Sequence, residues 1–208
     1  MRSPALIAVV SALVPAGFAF AGTTSVFYTV NQAGWTAYAT GAGASISSES
    51  FTSISDGYYA SGVSGNVAGI SWTATASGGV SALSGLVSAS TGSATLEFAV
   101  SPGVNGIAGN LFGRDSSWAA VPAIITVTLS DSTTYIGYAN GPSDFIGFYS
   151  TGATISSLSV TVSSTGSGAA YATADNLYFA TVGPVPAPGA LALLGVAGVA
   201  SRGRRRGA

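Results

Sequence analysis

The stretch Ile155-Ser156-Ser157-Leu158-Ser159-Val160-Thr161-Val162-Ser163 decides the fold. In an extended chain successive side chains point to opposite faces, so Leu158, Val160 and Val162 share one side while Ser157, Ser159 and Thr161 share the other. That is a half-buried strand of an antiparallel sheet. Ala94 to Val100 repeats the period, with Leu96, Phe98 and Val100 inward and Glu97 outward. Comparable runs lie at Val26 to Val30, Gly69 to Ala76, Ile107 to Phe112, Ala123 to Leu129, Thr134 to Tyr138, Phe145 to Tyr149 and Tyr171 to Thr181. Turn-forming clusters separate them: Ser77-Gly78-Gly79, Ser101-Pro102-Gly103, Asp131-Ser132, Asn140-Gly141-Pro142 and Thr165-Gly166-Ser167-Gly168.

No part of this body carries apolar residues at three-and-four spacing for long, and its β-branched and hydroxyl residues make poor helices. The class expected is all-β. About nine or ten short strands in one domain predict a two-sheet antiparallel sandwich, jelly-roll-like, with a closed barrel as the second choice. The region from Gln32 to Val67 is rich in Gly and Ser and has the poorest register. The glycines fall mainly at turns and follow no fixed repeat.

Charge narrows the function. Of the six basic residues, Arg2, Arg202, Arg204, Arg205 and Arg206 lie at the chain ends, which leaves the body with Arg114 alone. Against it stand Glu49, Asp56, Glu97, Asp115, Asp131, Asp144 and Asp175, so one positive charge and seven negative ones give the body a net charge of −6. A nucleic-acid partner is therefore not expected. Lysine, histidine and cysteine are absent, so disulfides, thiolate or imidazole metal ligands and an imidazole base are excluded.

Both ends read as targeting segments. After Arg2, the apolar stretch Ala5 to Phe18 leads to the small-x-small site Ala19-Phe20-Ala21 and then to polar Gly22-Thr23-Thr24. That order predicts a secretory signal helix over 1–21, cut after Ala21. At the other end Val185-Pro186-Ala187-Pro188-Gly189 precedes the apolar run Ala190 to Ala200 and then Arg202, Arg204, Arg205 and Arg206. The resulting division is 1–21 signal peptide, 22–183 β-sandwich and 184–208 tail with a hydrophobic helix.

The tail resembles the PEP-CTERM sorting signal of exported bacterial proteins, with Pro186-Ala187-Pro188 where Pro-Glu-Pro is usual. The body runs Asn105 to Phe112, Ile125 to Tyr135, Phe145 to Phe148 and Ala174 to Phe179 follow the order seen in the sandwich domains of many such proteins. The resemblance implies an exosortase-like membrane protease that cuts near Pro186 to Gly189. Gly189 to Ser201 is about 13 residues where a bilayer core takes about 20, so the tail is short for a span. The arginines, as a membrane stop, would stay on the cytoplasmic side of the inner membrane. The alternative is a plain single-span anchor that is never cut.

Three functions follow for the exported body. The first is a non-catalytic cell-surface or extracellular-matrix protein. The second is a lectin-like module for cell-surface polysaccharide, with aromatic rings drawn from Trp35, Trp72, Trp118, Tyr58, Tyr59 and Tyr135 and polar partners from Asp144, Asp175 and Asn176. Trp72 falls in phase with Ile70 and Ala74 and is expected in the core, which leaves Trp35 and Trp118, in loop-like surroundings, as the ligand candidates. The third is a glycoside hydrolase using paired carboxylates such as Glu49 with Glu97 or Asp115 with Asp144. Without His or Lys a serine nucleophile lacks its usual base, and turn-borne carboxylates ordinarily bond backbone amides, so no enzyme activity, cofactor or metal is expected. Asp175 is read as capping a turn into the last strand rather than as a Ca²⁺ ligand.

Overall fold

A computed structural model of the chain describes residues 26–183. The segment expected to be a signal peptide, with its expected cleavage site at Ala19 and Ala21, and the expected sorting tail with Val185 to Gly189, its apolar run and its four arginines, lie outside the described residues.

The chain opens with β1 (Val26–Thr29), α1 (Gln32–Gly41), β2 (Ala44–Glu49), β3 (Gly57–Tyr59), β4 (Val63–Val67) and β5 (Ile70–Ala76). It continues through β6 (Val80–Leu83), β7 (Leu86–Ala89), β8 (Leu96–Val100), β9 (Val104–Arg114) and β10 (Ala120–Val121). The last five strands are β11 (Ala123–Leu129), β12 (Thr134–Ala139), β13 (Phe145–Ser150), β14 (Ser157–Ser164) and β15 (Tyr171–Val182).

They form an all-β sandwich of two antiparallel sheets. The smaller has six strands in the order β12-β11-β14-β8-β5-β4. The larger has nine, ordered β1-β13-β9-β15-β7-β6-β3, with β10 paired to β9 and β2 to β15. Alternation explains the smaller sheet directly. Ile70, Trp72 and Ala74 of β5, Leu96 and Phe98 of β8, Ile125 and Val127 of β11 and Leu158 and Val160 of β14 are buried in one core. Their neighbours Ser71, Thr73, Thr75 and Glu97 are exposed. Val127 stands opposite both Tyr135 and Val160, which aligns three strands on one register.

The larger sheet is covered on both faces, so its central strands lose the alternation. β9 is buried at nearly every residue and β13 at every one. Its inner face joins the main core through Ile107, Leu111, Phe148, Leu177 and Phe179. Its outer face carries a second core of Trp35, Ala39, Ala44, Ala108, Phe145, Tyr149 and Ala180, closed by α1.

This helix departs from the sequence reading. Asn31 caps it, its side-chain oxygen accepting the Gly34 N–H at 2.9 Å, and Gly43 leaves it with φ at +81°. Only Trp35 and Ala39, four residues apart, are buried along it. Two buried positions are too few for a helical period to show in sequence. The described residues hold fifteen strands where nine or ten were expected, and three of the six without a predicted run, β2, β3 and β4, fall in the Gly- and Ser-rich region from Gln32 to Val67.

Asp175 also departs from expectation. It lies within β15, where the register against β9 slips between Ala174 and Leu177. On the other side of β15 the same point separates β7, paired at Thr173 and Ala174, from β2, paired from Leu177 onward. The bulge accommodates that change of partner.

Candidate functional site

Each sequence candidate has a definite place. Trp35 is fully buried; its indole N–H donates to the Phe148 carbonyl at 2.9 Å, and its ring meets Phe145 edge-on. It sits in a helix over the large sheet, not in a loop, and offers no face to a ligand. Trp72 is buried as its phase required, with its N–H donating to Glu49 Oε2 at 3.0 Å.

Trp118 lies in the turn after β9, half-buried and in the left-handed region with φ at +69°. One face of its ring is taken by the Arg114 guanidinium, 3.8 Å from the ring centroid. Tyr171 lies against the same guanidinium at 4.5 Å. Arg114 is 4% exposed. Nε donates to Ser88 Oγ at 2.8 Å, Nη1 to the Asp115 carbonyl at 2.7 Å and Nη2 to the Ala89 carbonyl at 3.3 Å. Among the described residues no carboxylate pairs with it. Burial lowers its pKa while Tyr171 and Asp115 raise it. Arginine titrates so far above neutrality that the group stays charged, stabilised by neutral oxygens and two π faces. Its donors serve the fold.

The carboxylates proposed as hydrolytic pairs do not face one another. Glu49 is turned inward, Oε1 accepting the Phe51 N–H at 2.8 Å and Oε2 the Trp72 indole N–H. Glu97 stands on the opposite, solvent face of the small sheet. Asp115 closes its own turn by accepting from Ser117 and Ala119 N–H at 2.8 and 2.9 Å. Asp144 Oδ2 accepts from the Gly141 N–H at 3.0 Å and from the Asn140 N–H. Asp175 forms no such turn; burial holds its carboxyl above the usual range. Among the described residues no group of three or more acidic, His or Cys side chains is placed to hold a metal ion, and no helix is long and apolar enough to cross a membrane.

Chemistry gathers instead at one lateral edge of the sandwich, where β1 ends the large sheet and β12 ends the small one. Tyr28 and Tyr135 reach across this edge, ring centroids 5.7 Å apart. Beside them opens a cleft of about 230 Å³ lined by Val30, Ile125, Tyr135, Tyr138, Ser143, Asp144, Phe145 and Ile146. It shares Val30, Ser143 and Phe145 with a broader, shallower depression of about 720 Å³ over the start of α1. Of the six exposed large apolar side chains among the described residues, four sit here: Tyr28 at 55%, Val30 at 60%, Ile136 at 67% and Tyr138 at 70%. Burial first, then Tyr28 and Asp144, hold the Tyr135 phenol above the ordinary tyrosine pKa. It stays a neutral hydroxyl, able to donate and to accept.

Tyr135 and Asp144 belong to the residues singled out from sequence; Tyr28, Tyr138, Val30 and Ser143 do not. A cue was present in Thr134-Tyr-Ile-Gly-Tyr-Ala139, which places apolar side chains on both faces of one strand. Compared with known proteins, the chain matches no family model, no curated protein and no solved structure.

Proposed function

We propose that the chain is a non-catalytic exported protein of the cell surface or extracellular matrix, whose C-terminal tail holds it at the membrane for exosortase-type processing. One observation within the fold carries the non-catalytic part. Glu49, Asp56, Asp115, Asp131 and Asp144 each accept hydrogen bonds from nearby backbone N–H groups, which commits them to turns and strand ends rather than to a shared reaction centre. The tail reading rests on the order of proline motif, apolar run and arginines from Val185 to Arg206. Mass spectrometry of the mature protein from its native host tests it. A C-terminus before Ala190 is expected, and recovery of an intact Arg206-Gly207-Ala208 end removes the sorting reading.

The strand order supports a jelly-roll reading of the sandwich. The eight strands β7, β8, β9 and β11 to β15 interleave so that one sheet runs β7-β15-β9-β13 and the other β8-β14-β11-β12. Consecutive strands cross between the sheets except at the β11–β12 hairpin, apart from short β10, which pairs with the end of β9. That is the interleaving of two Greek keys.

The tyrosine cleft favours a second reading, a carbohydrate-binding surface module. Exposed aromatic rings beside a carboxylate and hydroxyls match the apolar C–H faces and polar rims of sugars. Retention on a glycan array tests it.

A further inference from the structure

We propose that the cleft between β1 and β12 holds the uncharged terminal residue of an oligosaccharide, with the following residues lying over the start of α1; this rests on the carbohydrate-binding reading. The cleft, at about 230 Å³, is smaller than the roughly 300–1,000 Å³ typical of drug-sized ligands, so it suits a single ring. Val30, Ile125, Phe145 and Ile146 contribute apolar atoms to its lining, and Tyr135 and Tyr138 contribute aromatic ones.

The polar groups are fixed before a ligand arrives. Asp144, a lining residue of the cleft, has its Oδ2 held by two backbone N–H groups, and its Oδ1 has capacity to accept from a sugar hydroxyl. Gly137 leaves the space that the Tyr135 phenol occupies along the strand, which a Cβ there would fill, and the ring packs against Tyr28. An aromatic ring and a carboxylate locked by the fold lose little freedom on binding.

Charge selects the class. The lining holds a carboxylate and no cation, and the sole basic residue of 26–183, Arg114, is buried in its own cluster. An acidic sugar would meet Asp144 without a counter-charge, so neutral sugars are favoured. Direction follows from the shared rim. Val30 and Ser143 lead from the cleft into the depression, where Gln32 and Thr36 line the way. A chain with its end in the cleft uses both surfaces.

The test uses the purified full-length chain on an array of neutral oligosaccharides and their uronate-terminated counterparts, followed by calorimetry on the best binder. A neutral glycan should bind, and its uronate counterpart should bind about tenfold more weakly or worse. Tyr138→Ala should lower affinity about tenfold without changing the melting temperature, while Tyr138→Phe keeps it. If a glycan binds but Tyr138→Ala matches the wild type, the cleft assignment is wrong and the carbohydrate reading stands. Equal or tighter binding of uronates overturns the selectivity for neutral sugars. No binding at millimolar glycan overturns both readings.

Discussion

Trp72 packs on Gly65, its directly opposed partner between β5 and β4; a methyl group at Gly65 would lie 2.6 Å from the indole. The same relation recurs where Trp35 covers Gly147, Tyr58 covers Gly79 and Tyr135 covers Gly137. Gly65, Gly137 and Gly147 are needed for close approach rather than for turning, whereas Gly79, with φ at +85°, serves both. An aromatic ring laid on a strand glycine covers backbone that no Cβ shields, which restores the packing the glycine lacks. Gly65→Ala should therefore cost about 1–3 kcal/mol, because the indole has no free space to move into. Gly141→Ala is the control: the nearest atom to an added Cβ there is Ala120 Cβ at 3.8 Å, an ordinary contact. Urea denaturation of both variants checks the contrast.

Glu49 orders the centre of the main core. Its two oxygens hold Phe51, which has φ at +58°, and Trp72, and these two rings meet edge-on at 5.2 Å. An inward carboxylate is tolerated because both oxygens are used. Glu49→Gln offers one acceptor where two are required and should lose about 1.5–3 kcal/mol. The near-ultraviolet circular dichroism of Trp72 should weaken in parallel.

Arg114 contributes through its planar fork and its two ring contacts, so an ammonium is a poor replacement. Arg114→Lys should destabilise by about 2–3 kcal/mol. A double-mutant cycle with Trp118→Ala should return a coupling of about 0.5–2 kcal/mol. Because no carboxylate pairs with the guanidinium among the described residues, the Arg114→Lys loss should be nearly the same at low and high salt. A strong salt dependence would contradict this account.

Asp175 contributes to pH dependence with a definite sign. Burial at the β15 bulge raises its folded pKa above the unfolded value, so the folded state binds its proton more tightly. Its contribution to stability is fully present below the unfolded pKa, near 4, and is lost as pH rises through the folded pKa. Asp175→Asn should raise the melting temperature at neutral pH, and the gain should vanish in acid. Thermal melts across that range decide it.

Tyr135 and Tyr149 provide the alkaline counterpart. Burial is the main cause in both, joined by Tyr28 and Asp144 for the first and by Tyr38 for the second. Raised folded values mean stability that is complete below about pH 10 and falls as pH climbs through the folded pKa values. Replacing both with Phe should remove that alkaline loss, as followed by denaturant melts.

The sequence by itself determined the all-β class, the position of the long strands and the burial of Trp72, because alternation is a local property of the pleat and survives wherever one face meets solvent. β11 spans Ala123–Leu129 as its pattern requires, and β5 begins one residue inside its predicted run. Where a layer covers the second face, as α1 covers β13, that signal disappears, and Trp35 looked like a loop residue when it belongs to a second core. Only the tertiary structure decided which aromatic rings are exposed together. Tyr28 and Tyr135 are 107 positions apart in the chain yet close one edge of the sandwich. Which edge strands become neighbours depends on long-range pairing summed over both sheets, and no local period encodes that sum.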